Sequence, residues 1–100
     1  MADGDGDLGA AIAQAVGRLP NVRTVATVRI GREVATERVL IALRVGLPPL
    51  MPLTEVVHVI ARVQLAAARV APKGAAVFVE PDVAADQATP TETIVIRALE

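Results

Sequence analysis

The sequence predicts a two-layer α+β sandwich in the order helix, strand, strand, helix, strand, with an optional further strand at the C-terminus. Three observations carry that reading. Two segments repeat apolar residues at helical spacing, and at least three alternate apolar residues with a period of two. Proline and asparagine fall between these segments rather than inside them. The chain has 100 residues, the length of one domain, and a domain this size buries roughly 60–65% of its unfolded surface.

The chain opens with Asp3, Asp5 and Asp7 alternating with glycines, which reads as a flexible acidic leader over residues 1–7. Asp7 is placed to cap the first helix, where a carboxylate also meets the positive end of the helix dipole. Leu8, Ile12, Val16 and Leu19 then form one apolar stripe, and Pro20 and Asn21 end the helix. Residues 24–30 alternate, with Ala26, Val28 and Ile30 on one face and Val25, Thr27 and Arg29 on the other. Residues 31–37 read as a loop. Residues 38–46 are the clearest strand, with Val39, Ile41, Leu43 and Val45 facing one way and Arg38, Leu40, Ala42 and Arg44 the other. The two strands form a hairpin with one apolar and one mixed face, in a sheet expected to be antiparallel.

Leu47-Pro48-Pro49-Leu50-Met51-Pro52 is a stiff connector, because proline restricts its own backbone and that of the residue before it. Its spacing is that of a linker rather than of a proline-rich ligand motif. Thr54 is expected to cap a second helix, with Glu55 in its first turn. Val56, Val59, Ile60, Val63, Ala66, Ala67 and Val70 make its buried stripe, and His58, Arg62, Leu65 and Arg69 the opposite one. Pro72, Lys73 and Gly74 stop it. Residues 75–80 read as a third strand closed by Pro81 and Asp82. A loop runs to Pro90, and residues 93–99 are β-prone. Two helices on one face of such a sheet give a ferredoxin-like sandwich. The domain proper is expected over residues 8–82, and residues 83–100 form a C-terminal loop and strand.

Composition excludes most chemistries. There is no serine, cysteine or tyrosine, and His58 is the only histidine. Disulfides and thiolate metal clusters are therefore absent, and nucleophilic catalysis has no activated side chain to start from. No enzyme activity is expected. The formal charge is −1, the nine arginines and one lysine are dispersed, and Phe78 is the only aromatic residue. Nucleic-acid binding needs a basic stripe and stacking rings, so it is not expected either. Apolar residues make up 53% of the chain, yet none of the runs approaches the ~18–20 residues that span a membrane. Surplus apolar surface of this kind is usually covered by a partner.

From Leu19 to Asp82 the chain resembles the cytosolic C-terminal domain of cation diffusion facilitator transporters. The resemblance rests on several motifs in order. They are Leu19-Pro20-Asn21-Val22 after the first helix, a hairpin, and Leu50-Met51-Pro52-Leu53-Thr54-Glu55 entering the second helix. Pro72 follows that helix, and the strand Val77-Phe78-Val79-Glu80-Pro81-Asp82 ends the match. The resemblance implies a homodimer on the cytosolic face of a membrane, with the membrane reached only through a transporter part outside this chain. It also implies a divalent cation such as zinc in many members. The family's strand histidine falls on Phe78 and its helix histidine on Val57, one residue before His58. The candidate metal ligands left are His58, Glu80 and Asp82. Too few donors coincide with the family's positions, so zinc is expected to bind weakly or not at all. Asp3, Asp5 and Asp7 have the spacing of a calcium loop, but Gln14 stands where that loop needs a glutamate.

Strand alternation puts Phe78 and Glu80 on the side of Leu40 and Ala42, opposite Val39, Ile41, Leu43, Val77 and Val79. The second set is wholly apolar and is expected beneath the helices. Phe78, Leu40 and Ala42 are then the expected dimer contact. Two functions follow: a dimerisation and regulatory domain of a cation efflux transporter or a solitary relative of one, or a free-standing ferredoxin-like module binding a small ligand in a dimer cleft.

Overall fold

The computed structural model describes residues 3–84 and 92–95, with only the backbone described at 3–5 and 92–95. The elements are α1 (Asp3–Gly17), β1 (Thr24–Arg32), β2 (Val39–Leu47), α2 (Leu53–Val70), β3 (Ala76–Val83) and β4 (Glu92–Val95). The expected order holds, and the optional last strand is present. The sheet order is β3-β2-β1-β4. Helix α1 lies over β1 and β4, α2 lies over β3, and the two helices touch each other. Residues 1–2 of the expected leader, the loop over 85–91 and the remainder of the β-prone tail fall outside the described residues.

The sheet is mixed, which corrects the antiparallel expectation. β1 and β2 form the antiparallel hairpin, but β3 runs parallel to β2 and β4 parallel to β1. The cause is α2. It carries the chain back along the length of β2, so the next strand starts where β2 started and runs the same way.

One face of this sheet and one stripe of each helix make the core. Ile12 and Val16 of α1, Val28 and Ile30 of β1, Val39, Ile41, Leu43, Val45 and Leu47 of β2, and Val59, Val63 and Ala67 of α2 are all buried together. Val77 and Val79 pack against them from β3. The stripes expected for both helices and for β2 are therefore the buried ones. β1 departs from simple alternation: the register slips between Val25 and Thr27, where two residues of β1 oppose one of β2. Ala26 is the extra residue of a β-bulge, and the bulge reverses the alternation on either side of it. Val25 consequently joins Val28 and Ile30 in the core instead of facing away.

Four boundaries differ from expectation, each for a local reason. Helix α1 begins at Asp3, so Asp7 lies inside it and does not cap it. Helix α2 begins at Leu53, with Pro52 as its cap residue and no side-chain cap bond. The Pro52 carbonyl accepts the Glu55 and Val56 N–H groups instead, at 2.9 and 3.0 Å, which leaves Thr54 in the first turn. The hairpin pairs up to Arg32 opposite Val39, and the Glu33 N–H donates to the Arg38 carbonyl at 2.9 Å. The loop is therefore shorter than the one expected over 31–37. Finally, β3 continues through Pro81 to Val83. The Ala84 N–H donates to the Leu47 carbonyl at 2.9 Å. By alternation, the N–H groups of residues 82 and 80 also turn toward β2, and the missing donor of Pro81 falls on the open edge. An edge strand tolerates proline in that position.

Candidate functional site

The outer face of the sheet, opposite the helices, is where alternation places the remaining side chains. Parallel register sets Ala42 beside Phe78 and Arg44 beside Glu80, while antiparallel register sets Arg29 opposite Ala42 and Thr27 opposite Arg44. Phe78 is 60% exposed, Ala42 is exposed, and Leu40 is half-buried. Thr27, Arg29, Ala42, Leu43, Arg44 and Glu80 line a shallow depression of about 80 Å³ on this face. The alternation read from the sequence thus separates the two sets of side chains as expected, with Val77 and Val79 toward the core and Phe78 and Glu80 away from it.

The three candidate metal ligands are not brought together. His58 is exposed on α2, on the side of that helix turned away from the sheet. Glu80 and Asp82 lie beyond the other face of the sheet. Glu80 accepts from Arg44 (Nη2 to Oε1, 3.5 Å), and Asp82 Oδ1 accepts the Val83 N–H at 2.8 Å. Among the described residues no three histidine or acidic side chains converge on one point.

A second exposed surface was not singled out by the sequence. Leu50 is fully exposed and Leu53 is 76% exposed, with Val57 and Val83 also largely in solvent. Leu47, Pro48, Pro49, Leu50, Met51, Val56, Pro81, Asp82 and Val83 line a groove of about 340 Å³ beside them. Leu50 holds a positive φ of 66°, a conformation that costs a non-glycine residue on the order of 1 kcal/mol. The signal was present in the chain. Leu50 and Leu53 flank prolines, and a leucine beside two prolines in a connector has little core within reach.

This arrangement is closely matched among solved structures. A copper form of the MamM C-terminal domain (CTD) superposes with a TM-score of 0.78 at 16% identity, over 93% of this chain and 89% of that one. The fold is that of the MamM CTD. A single-substitution variant of the MamM CTD gives a TM-score of 0.75 at 16% identity, covering 95% and 96% of the two chains. A manganese form of another MamM CTD variant gives 0.72 at 21% identity, covering 88% and 95%. The resemblance to cytosolic domains of the cation diffusion facilitator family is therefore shown at the level of fold. No sequence-family model matches this chain, and no curated protein matches it significantly.

The metal forms of the MamM CTD belong to those proteins. Among the residues whose side chains are described, the three candidate ligands stand apart. The carboxylate of Glu80 is shared with Arg44, Arg29 stands nearby, and His58 is on the opposite side of the sheet. A site needs about four converging donors, and the two guanidinium groups near Glu80 add positive charge there.

Proposed function

We propose that this chain is a non-catalytic dimerisation and regulatory domain of a divalent-cation efflux transporter, or a solitary relative of one, working on the cytosolic side. The match of fold to the MamM CTD over nearly the whole chain carries the reading. The absence of an activated nucleophile and of a basic stripe in the sequence fits it. Among the described residues, no helix is long and apolar enough to cross a membrane.

The proposed contact between copies is the outer sheet face, with Phe78, Leu40 and Ala42. A lone exposed aromatic beside an alanine and a leucine is what a self-complementary surface presents, and homodimers most often form about a single two-fold axis. His58, Glu80 and Asp82 contribute at most a weak cation site in this reading, and zinc is not required for assembly. Sedimentation equilibrium with and without zinc tests it. The expected result is a dimer at micromolar concentration in both conditions. A monomer up to about 100 micromolar would contradict the proposal, because a contact weaker than that is worth less than ~5–6 kcal/mol. Calorimetric titration with zinc is expected to give no tight binding. A nanomolar site lost in His58→Ala would show that the helix does supply a ligand.

A further inference from the structure

The outer face of the sheet segregates its charges. Among the residues whose side chains are described, Arg29 and Arg44 sit on the inner strands β1 and β2, and Glu80 and Asp82 sit on the edge strand β3. Arg44 and Glu80 are neighbours in the parallel register and form the single ion pair among these four, at 3.5 Å. Arg29 has no ion-pair partner among the described residues, and Asp82 accepts only the adjacent Val83 N–H there. Among these four, one cation and one anion are thus left over on each copy. They do not meet within the chain, because Arg29 lies in the row of Ala42 and Phe78 while Asp82 lies in the row of Gly46. Two strands across and two pairs along put them about 16 Å apart by ordinary sheet spacings.

A two-fold axis resolves this arrangement. In an isologous contact, residue i of one copy meets residue j of the other and the reverse also holds, so one axis pairs both leftover charges twice. The axis that exchanges Arg29 with Asp82 passes over Arg44, midway between them, and leaves Phe78 one strand from it. We propose that a second copy of the chain covers this face in a charge-locked, metal-independent contact. In it, Arg29 of each copy takes the Asp82 carboxylate of the other. Arg44 stays paired with Glu80 within each copy. The inference rests on the dimer reading above and adds what holds the copies together. Charge complementarity selects the second copy as the occupant: among the residues whose side chains are described, β1 and β2 carry Arg29 and Arg44 on this face and the edge strand β3 carries Glu80 and Asp82.

The test is sedimentation equilibrium of the full chain in a chelator, at low and high salt, with charge reversals. Raising salt from about 0.1 M to 1 M shortens the screening length from about 10 Å to 3 Å. The dimer is expected to persist in chelator, to be unchanged by zinc, and to weaken about tenfold or more at high salt, as pairs exposed at a rim are screened. Arg29→Asp and Asp82→Arg are each expected to weaken it about tenfold, and the double variant to recover to within about threefold of the original, since the swap restores both pairs. Circular dichroism should show all three variants folded, because both positions are exposed. A double variant as weak as the single ones, reversals without effect, or a dimer tightened by zinc would overturn this inference while leaving the dimer reading standing. A monomer under every condition would overturn both.

Discussion

Gly46 sits on the middle strand β2, between β1 and β3. It pairs with Thr24 of β1 and Asp82 of β3, and its carbonyl accepts the Arg23 N–H at 2.9 Å. A Cβ at this position would collide with the Thr24 hydroxyl and stand 3.1 Å from the Ala84 Cα, which is backbone and cannot swing away. Gly46→Ala is therefore expected to destabilise the fold by about 1–3 kcal/mol, the usual cost of overpacking, measured by urea denaturation. The neighbouring faces give a paired prediction. Val77→Glu puts a charge against the core and is expected to cost about 3 kcal/mol or more, whereas Phe78→Glu is expected to leave folding intact and weaken the dimer roughly tenfold or more. If Phe78→Glu unfolds the chain and Val77→Glu only separates the copies, the faces are inverted. These face assignments were legible because β2 and β3 alternate without interruption. β1 was not, because the bulge at Ala26 shifts the parity, and no residue type there announces it. An alanine fits a bulge as readily as a regular strand position. Gly46 was equally silent, since a close approach of three strands depends on their pairing and not on any local pattern.

At the scale of elements, α2 does most of the positioning. Its buried stripe fixes it over the sheet, and its direction makes β2 and β3 parallel, which in turn sets Arg44 beside Glu80. Both helix stripes could be read from period alone. The start of α1 could not, because alternating aspartate and glycine has poor helix propensity, and the helix nevertheless extends to Asp3. The end of β3 is not legible in the sequence, because proline reads as a stop although an edge strand accepts it where no donor is needed. The pairing of Arg44 with Glu80 contributes little stability by itself. Both side chains are largely exposed, and such pairs are worth about 0–1 kcal/mol. The entry to α2 deserves a direct experiment. Leu53 lies at the first turn, 76% exposed, beside the groove formed with Val83 and the proline connector. The strand β3 runs from Phe78 on the proposed contact face to Val83 at this groove. Leu53→Glu is expected to leave the melting of the monomer unchanged within about 0.5 kcal/mol, as substitutions away from the core do. It is expected to weaken the dimer measurably in the same sedimentation experiment that reads Phe78→Glu. An unchanged dimer would confine the contact to the middle of the sheet.

The whole molecule is expected to fold without its partner. Its core joins both helices to β1 and β2, with no buried charged or polar residue and no unsatisfied buried side-chain atom among the described residues. Its radius of gyration of 13.5 Å matches the ~13 Å of an independently folded domain of about 100 residues. A dimer built from such monomers obeys mass action: anything that binds the folded state and not the unfolded one raises apparent stability in proportion to the logarithm of its concentration. The proposed partner is a second copy, so the melting temperature of the native chain should rise with protein concentration. Between about 5 and 100 micromolar the twentyfold change is worth roughly 1–2 kcal/mol when the copies dissociate before or during unfolding. That corresponds to a shift of several degrees for a domain of this length, at about 4–8 °C per kcal/mol. Phe78→Glu should melt at one temperature regardless of concentration, close to the low-concentration value of the native chain, because it keeps the core and loses the partner. Adding zinc or a chelator should move neither curve. A native chain whose melting temperature is flat across that range would show that the exposed apolar surface of this domain is not covered by a second copy of itself.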